Sequence, residues 1–534
     1  MKKRYKSIIF IIALSLFLGC TNDFEELNTS KFTTNNVNPG YLLFKSIQNG
    51  LFSCSTYSYE LGDQLHTDLF AQYYGNANIS FTTDRYLTRT DWIEAGLWSP
   101  YYKYGVTRRW NVFNFLDEHP EYSNMYQIFR IIDAIGAQKT TDLFGDVPYS
   151  EAGQGIMEPH FDAQKEIYYT LFEELKDVVA KLRSNTKQTK FTELQDIMYF
   201  GDEKKWIKLA NAERLRLALR ISFIDPVKAK TEGELALADI SFESNADNAS
   251  YTVNLGTDDQ GHPLYYISLW GDVTASAFMM NTLKNESSVV DPRLTLWFAK
   301  THDYLTKKST EPFRGMPNGL LASELDGEYS KDNTSQPWGY YWGTNWNDYK
   351  PGDKIPNDPS AELGVSNKPR VVFNYAELCF LKAEAALRGW AGAGDAKTNY
   401  ENGIRASFAE FRNGVSATKY STANDEAYIS GGNVKYNPGD SFETNLKKII
   451  TQKWLALYPN GQEAWIEFRR TGYPVLIPPA HVDIDNVKQG EFLKKLPYTD
   501  AEKQGNTNAL DPSLNQGQGD GEHVRVWWDT KRYK

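Results

Sequence analysis

Regularly spaced apolar residues constrain the fold of this chain more than any other feature of its sequence. The stretch 163–182 carries an apolar stripe at steps of four, four, three and four residues: Ile167, Leu171, Leu175, Val178 and Leu182. Such steps place the side chains on one face of a helix with 3.6 residues per turn. Trp206–Ile221 repeats the pattern. The spacing therefore predicts a mainly α protein.

Further helices follow from the same pattern, over Tyr101–Leu116, Tyr122–Thr141, Asn374–Arg388, Asp395–Phe411, Asn445–Leu457 and Glu463–Thr471. Pro120 and the stretch Gly389–Gly392 interrupt successive helices, and short breaks favour antiparallel helix hairpins. Ala396, Tyr400 and Gly403 have the spacing of the second helix of a tetratricopeptide repeat. From spacing alone, a generic helical hairpin fits this pair equally well.

The middle of the chain, residues 241–369, lacks this helical rhythm and is rich in Gly, Asn, Asp, Pro and aromatic residues. It offers at most short strands such as Tyr251–Leu255, and helix-like pieces that include Ala275–Leu283. A stretch this long without regular structure inside a compact protein is normally either functional or a sign that the element assignment is wrong. We expect a single domain over 41–534, in which tetratricopeptide-like helix pairs form a scaffold for long irregular loops and a few short strands. The irregular part would bind a ligand.

The N-terminus has the features of an exported lipoprotein. Four basic residues precede the apolar run Ile8–Leu18, which is the length of a secretory signal and too short to span a bilayer. Phe17-Leu18-Gly19-Cys20 resembles a bacterial lipobox, although Leu18 stands where a smaller residue is commoner. We predict a signal peptide over 1–19, lipidation of Cys20 and a flexible tether over 20–40. Acidic residues just after Cys20 resemble a surface-export signal of the Bacteroidetes.

Charge and cysteine content narrow the class of protein further. The formal net charge is −10, and no basic stretch is interleaved with aromatic residues, which argues against nucleic acid as a partner. Besides Cys20 the chain has Cys54 and Cys379, too few for a disulfide framework. The sequence leaves open whether these two cysteines pair.

No catalytic constellation is recognisable. The seven histidines show no paired metal-ligand spacing, and no nucleophile elbow or phosphate-binding glycine loop is present. We therefore predict neither an enzyme nor a metal or cofactor site, apart from a structural calcium that the Asp-rich pieces 483–486 and 511–520 leave open. A glycosidase needs only two opposed carboxylates, so a surface glycoside hydrolase using loop carboxylates remains the enzyme alternative.

One aromatic cluster points to binding. Residues 338–349 carry six aromatic rings among Asn, Asp and Gly. Flat rings cover the apolar faces of sugars, while polar side chains bind the hydroxyl rims. The alternative is that the rings pack the loop onto the helices. As ligand contacts we predict the rings and amide that stand in the middle of this cluster: Trp338, Tyr341, Trp342, Asn345 and Trp346.

The order of these features resembles that of the SusD/RagB family of outer-membrane nutrient-binding lipoproteins. The resemblance rests on the lipobox and tether and on several segments, the most specific being Asp142–Tyr149 and Glu463–Arg470; the others are Asp291–Leu294, Asn374–Leu378 and Lys453–Tyr458. It implies four tetratricopeptide-like helix pairs that support an irregular ligand-binding half. From the residues alone, Glu463–Arg470 is a scaffold segment with spacings for ion pairs within the helix.

The resemblance also implies a function and partners. Such a protein is anchored in the outer membrane and exposed at the cell surface. It delivers oligosaccharides or peptides to a SusC-like TonB-dependent transporter barrel without catalysis. We expect a glycan rather than a peptide. Because the family's ligand face includes the N-terminal part, Tyr74 and Trp92 become further candidate contacts. The remaining alternative is a helical scaffold lipoprotein that binds no ligand.

Overall fold

The computed structural model describes residues 39–51, 55–252, 262–339, 346–355 and 368–533. Within them, ten helices have nine or more residues: α1 Thr107–Phe115, α2 Ser123–Phe144, α3 Gln164–Ser184, α4 Glu203–Arg220, α5 Pro226–Leu237, α6 Ala277–Asn285, α7 Tyr375–Leu387, α8 Ala396–Arg412, α9 Phe442–Leu457 and α10 Gly461–Thr471. The predicted signal peptide, Cys20, most of the tether and Cys54 lie outside the described residues, so the proposed lipidation and cysteine pairing stay predictions.

Shorter helices fill the N-terminal and irregular parts: Pro39–Lys45, Thr56–Tyr59, Asp68–Phe70, Thr90–Ile93, Pro263–Ile267, Leu294–Trp297, His302–Leu305, Asp425–Ser430, Asp500–Gly505 and Leu514–Gly517. Four segments are wound as π-helix: Ser46–Gly50, Glu60–Thr67, Glu94–Trp98 and Tyr101–Val106. The helix predicted over Tyr101–Leu116 is therefore π-helical up to Val106 and α-helical only from Thr107. Among the described helices, none has the length and apolar character to cross a membrane.

The long helices form four pairs, α2 with α3, α4 with α5, α7 with α8 and α9 with α10. The predicted mainly α, tetratricopeptide-like fold is confirmed. In the α7–α8 pair, a Cβ on Gly403 would lie 2.7 Å from the Phe380 ring, so the small residue permits the close approach of the helices. Tyr400 is fully buried beside it and donates a hydrogen bond to the Val434 carbonyl at 2.7 Å.

Side-chain caps explain where several helices begin. Asn374 accepts a hydrogen bond from the Glu377 amide at 2.7 Å, and Asp395 accepts one from the Thr398 amide at 2.8 Å. Ser441 caps α9 in the same way. Each cap satisfies an amide that the helix leaves unpaired, and is worth about 1 kcal/mol.

Helix α5 was not predicted, because its buried residues are small or polar rather than large and apolar: Ala229, Glu232, Gly233 and Ala236. A Cβ on Gly233 would lie 2.2 Å from the Trp390 ring. The helix therefore packs through small residues against this ring and not through a stripe of large apolar side chains. The spacing rule for large apolar residues misses such a helix.

Two small antiparallel sheets complete the fold. Strand β1, Tyr74–Asn76, pairs with β3, Val273–Ala275, with Tyr74 opposite Ala275. Strand β2, Ala249–Tyr251, pairs with β4, Arg370–Phe373. The strand predicted over Tyr251–Leu255 thus begins and ends earlier than expected, and residues 253–255 lie outside the described part.

The Asp142–Tyr149 segment ends α2 and ties it to the C-terminal part of the chain. Gly145 has φ 84° and ψ −128°, a glycine conformation different from the left-handed helical one expected at a helix end. A Cβ there would lie 1.9 Å from Asn515 Oδ1, which accepts a hydrogen bond from the Asp146 amide. Asp142 Oδ1 accepts hydrogen bonds from Tyr168 and Trp528, both at 2.6 Å.

Buried charges join the helix pairs at the centre. Arg216 on α4 donates to both carboxylate oxygens of Glu377 on α7, at 2.9 and 2.6 Å. Arg470 on α10 binds both oxygens of Glu384 on α7, at 2.8 and 2.6 Å.

Arg220 and Lys453 extend these contacts. Arg220 on α4 contacts Glu463 at 2.5 Å, Glu467 and, at 3.3 Å, Asp142 on α2, while Lys453 on α9 lies 3.2 Å from Glu467. We call this set the central ion network: Asp142, Glu213, Arg216, Arg220, Glu377, Glu384, Lys453, Glu463, Glu467 and Arg470.

The side chains of the central ion network are at most 4% exposed. The scaffold role expected for Glu463–Arg470 fits this arrangement. The sequence predicted ion pairs within the Glu463–Arg470 helix. Glu467 and Arg470 form one such pair, at 2.8 Å, but most other ion pairs of this segment join α10 to different helices. A buried charge that loses its partner is strongly destabilising, so the network disfavours shifts of one helix against another.

Removing one negative charge from the central ion network should cost far more stability than removing a surface charge. We expect Glu467→Gln to lower the free energy of unfolding by about 3–5 kcal/mol, because Arg220, Lys453 and Arg470 stay buried with one anion fewer. The matched control is Glu426→Gln, whose partner Arg405 is exposed, with an expected loss below about 1 kcal/mol. Urea unfolding followed by circular dichroism measures both, and equal losses would contradict the structural role of the network.

Candidate functional site

The two tryptophans of the predicted aromatic cluster that the structure describes, Trp338 and Trp346, are buried. Trp338 and Trp346 are each 5% exposed and contact each other edge to face, with ring centroids 5.2 Å apart. Trp338 Nε1 donates to the Ser268 carbonyl at 2.6 Å. These two rings therefore pack the loop onto its support and present no face to a ligand in this conformation. Tyr341, Trp342 and Asn345 lie outside the described residues and stay predicted contacts.

The two N-terminal candidates differ in exposure. Tyr74 is fully buried in β1 and donates a hydrogen bond to the Tyr458 hydroxyl at 2.8 Å, so its ring belongs to the core. Burial raises the pKa of Tyr74 well above its usual value. Trp92 is partly exposed, with the Arg89 guanidinium 4.4 Å from its ring centroid and Phe81 packed edge-on at 5.6 Å. Trp92 is the candidate of the two that a ligand can reach.

The most exposed tryptophan in the described part of the chain is Trp270, which the sequence analysis did not single out. It is 48% exposed, whereas every other tryptophan of the described residues is buried or only partly exposed. It follows the helix Pro263–Ile267, which begins with Pro263 after the cap His262 and carries the partly exposed rings of Tyr265 and Tyr266. The sequence did contain a pattern that could have identified it. Trp270 is followed by Gly271 and Asp272, and the same combination of aromatic residues with Gly and Asp occurs in residues 338–349.

Polar side chains lie on the segments next to Trp270. Asp272 accepts a hydrogen bond from the Asn78 side chain at 2.6 Å, and its carbonyl accepts one from the Ala77 amide at 2.8 Å. Ile79, next to Asn78, is 67% exposed. Lys331 donates to the Trp270 carbonyl at 3.0 Å. We call the surface formed by Trp270, Asn78, Ile79 and Lys331 the Trp270 face; Asp272 is buried beside it and accepts the hydrogen bond of Asn78.

The Trp270 face continues towards Trp92. Asn76 donates to the carbonyls of Asn78 and Phe81, at 2.9 and 2.8 Å, and Phe81 contacts Trp92. Hydrogen bonds and ring contacts thus connect the segment that carries the exposed Trp270 ring with the one that carries the partly exposed Trp92 ring. Exposed aromatic rings with a few fixed polar groups are what a carbohydrate-binding surface requires.

A carboxyl pair lies beneath the face. Glu60 is 7% exposed and shares a hydrogen bond with Asp272. Burial, together with the negative charge of Asp272, raises the pKa of Glu60 to about 7. Two carboxyl groups in direct contact are too close for the roughly 5–9.5 Å separation with which glycosidases place a sugar or water between them. The pair therefore holds a proton in the core rather than forming a glycosidase site.

Two other regions could hold small ligands. His302, Asp303 and Asp332 bring three ligand atoms within 4.8 Å of one another, a grouping that the scattered positions in the sequence conceal. A cleft of about 750 Å³ is lined by polar residues that include Asn245, Arg405, Arg412, Tyr420 and Glu426. Its arginines are already paired, Arg412 with Asp425 at 2.6 Å and Arg405 with Glu426 at 2.7 Å.

The Asp-rich pieces considered for calcium have cationic partners in the structure. Asp483 accepts a hydrogen bond from Arg85 at 2.6 Å, and Asp520 contacts Lys495 at 2.5 Å and Lys503 at 2.8 Å. Ammonium and guanidinium groups thus neutralise these two carboxylates, and a structural calcium stays an untested expectation.

Helix pairs that carry an irregular aromatic surface define a class of binding protein, and sequence comparison identifies the family. The sequence model of the SusD-like family, described as Susd and RagB outer membrane lipoprotein, matches residues 21–529. The chain therefore belongs to the SusD/RagB family, whose members are binding proteins. A comparison with curated proteins found no match.

Solved structures agree with this assignment. A chitin-binding SusD homolog from Flavobacterium johnsoniae is 26% identical, with a TM-score of 0.72 over 93% of this chain and 99% of that one. A structure titled chitin-binding protein is 27% identical, with a TM-score of 0.75 over 92% and 100% of the two chains. A SusD homolog from Bacteroides uniformis is 25% identical, with a TM-score of 0.75 over 92% and 99%.

The Glu60 proton should make stability depend on pH. The pKa of Glu60 is about 7 in the folded state and near 4.5 when unfolded, so its contribution is complete below about pH 4.5 and is lost as the pH rises through 7. Glu60→Gln mimics the protonated form. It should change stability little at pH 5 and raise it by about 1–3 kcal/mol relative to the natural chain at pH 8.

Urea unfolding at the two pH values measures this difference. The control is Glu118→Gln, an exposed position where we expect less than about 0.5 kcal/mol at either pH. If Glu60→Gln had the same effect at pH 5 and pH 8, Glu60 would not hold a proton in the folded protein.

Proposed function

We propose that this protein is a surface lipoprotein, anchored through Cys20, that binds a glycan on the Trp270 face without cleaving it and delivers it to a TonB-dependent transporter. The exposed ring of Trp270, with the exposed Lys331 and the partly exposed Asn78 on neighbouring segments, is the observation that carries the proposal. A pyranose ring has apolar C–H faces that stack on such a ring, and hydroxyl groups that bind its polar neighbours.

A glycan is favoured over a peptide for two reasons. The Trp270 face offers a flat ring and polar side chains, whereas an extended peptide is commonly bound along a free strand edge. Two of the similar structures are described as chitin-binding. We therefore propose N-acetylated glucosamine oligomers as the first ligands to test.

In this proposal Trp270 stacks on a sugar ring, and the polar side chains next to it bind the sugar hydroxyl groups. Tyr341, Trp342 and Asn345 belong to the chain segment that follows Trp338, and Trp338 is fixed next to the Trp270 helix by its bond to Ser268. Trp92 extends the same surface through Phe81. A bound oligomer would thus contact more than one ring, which increases affinity through several modest contacts.

Replacing the exposed ring should weaken ligand binding without affecting the fold. We expect Trp270→Ala to reduce the affinity for a chito-oligosaccharide at least about tenfold, the effect of losing roughly 1.4 kcal/mol of stacking. Isothermal titration calorimetry measures the affinity. The matched control is Phe113→Ala, which removes a ring that is 43% exposed on α1.

Two outcomes would contradict the proposal. Unchanged affinity in Trp270→Ala would remove the Trp270 face from ligand binding. Shorter oligosaccharides appearing after prolonged incubation, detected by mass spectrometry, would favour the glycoside hydrolase alternative.

A further inference from the structure

The first described helix and a later segment form one surface. The segments Ser46–Gly50 and Tyr101–Val106 pack closely because Gly50 meets Gly105, where a Cβ on Gly50 would lie 3.1 Å from the Gly105 nitrogen. At the edge of this contact Arg108 donates to the Leu42 carbonyl at 3.3 Å. The helix Pro39–Lys45 and residues 103–108 therefore lie side by side.

This surface carries cations without acidic partners. Within the described residues Lys45, Lys103 and Arg108 make no ion pair, although the chain as a whole has a net charge of −10. Among the described arginines only Arg108 and Arg469 lack an ion pair, and Arg469 is buried against backbone carbonyls. Arg108 is thus a partly exposed arginine that has no carboxylate partner among the described residues.

Aromatic rings accompany these cations. Tyr41 is 77% exposed, the highest value of any tyrosine in the described part of the chain. The Tyr104 ring has Arg108 at 4.9 Å and Lys103 at 5.3 Å from its centroid. We call Tyr41, Lys45, Lys103, Tyr104 and Arg108 the basic aromatic face. Tyrosine and basic residues are the side chains that concentrate at membrane–water interfaces.

The position of this face suggests its partner. Pro39, the first described residue, is 19 residues after Cys20 in the sequence, a stretch that spans at most about 65 Å when extended. The basic aromatic face therefore lies where the chain arrives from its proposed lipid anchor. A lipid surface is within reach of the face whenever Cys20 is inserted.

We propose that the basic aromatic face docks on the anionic head groups of the membrane to which Cys20 is anchored. The inference rests on the proposed lipid anchor. Lys45, Lys103 and Arg108 attract lipid phosphates, while Tyr41 and Tyr104 insert at head-group depth. The remainder of the acidic protein is repelled by the same surface, so the contact sets the orientation of the molecule as well as its distance.

The charges predict a measurable affinity. Each cation near an anionic membrane increases partitioning roughly fivefold, so the three together give on the order of 100-fold. The attraction acts over about 10 Å at 0.1 M salt and only about 3 Å at 1 M. Docking should therefore depend on anionic lipid and disappear in high salt.

The test uses the full chain with Cys20→Ala, which cannot be lipidated, and vesicles of phosphatidylcholine with or without phosphatidylglycerol. Flotation should recover the protein with the anionic vesicles alone, and only at low salt. Adding Lys45→Gln, Lys103→Gln and Arg108→Gln should lower the partition coefficient on the order of 100-fold. The control triple is Lys165→Gln, Lys187→Gln and Lys488→Gln, which removes the same charge from exposed, unpaired positions elsewhere and should have little effect.

Several results would overturn the proposal. Absence of binding to anionic vesicles would do so, and so would equal losses in the two triple variants. A face triple that binds vesicles normally but no longer copurifies with the transporter would assign the face to a protein partner instead. Thermal midpoints of the variants check folding. Labelling of the natural chain, but not of Cys20→Ala, with a clickable fatty acid tests the anchor separately, and chito-oligosaccharide titration of the same variants tests the proposed ligand.

Discussion

The central ion network holds the rest of the structure in place. It reaches the first helix of every pair, through Asp142 on α2, Arg216 and Arg220 on α4, Glu377 on α7 and Lys453 on α9. A charge buried this deeply is strongly destabilising once it loses its partner, and a shift of one helix would leave several of them uncompensated. Neighbouring pairs of a repeat-like scaffold would otherwise pack independently, so we expect these ion pairs to make the four helix pairs unfold together.

Helix α9 connects the central ion network with the Trp270 face. Trp454, next to Lys453, donates to the Ala71 carbonyl at 2.9 Å, and Tyr73 donates to the Trp454 carbonyl at 2.6 Å. Tyr74 bonds Tyr458 just beyond the end of α9, and its strand β1 pairs with β3, which follows Trp270. Tyr74 therefore positions the candidate binding surface from within the core rather than by touching a ligand.

The sequence predicted the scaffold better than the surface. Helices with large apolar stripes, such as α3 and α9, lie within a few residues of the predicted positions, whereas α5 was missed because small residues fill its contact. Glu463–Arg470 was assigned to the scaffold, but spacing along one helix could not reveal partners on other helices. Likewise, composition identified the aromatic loop but not which rings are exposed, because Trp338 and Trp270 differ only in their tertiary packing.

The central claim is that this member of the SusD/RagB family holds a glycan on the Trp270 face, supported by the ion-linked helix pairs. A crystal structure with a bound chito-oligosaccharide tests it most directly. The account predicts a sugar ring stacked on Trp270, with its hydroxyl groups near Asn78 and Lys331 and all of its glycosidic bonds intact. An oligosaccharide bound instead in the polar cleft beside Arg405 and Tyr420, with Trp270 still open to solvent, would contradict it.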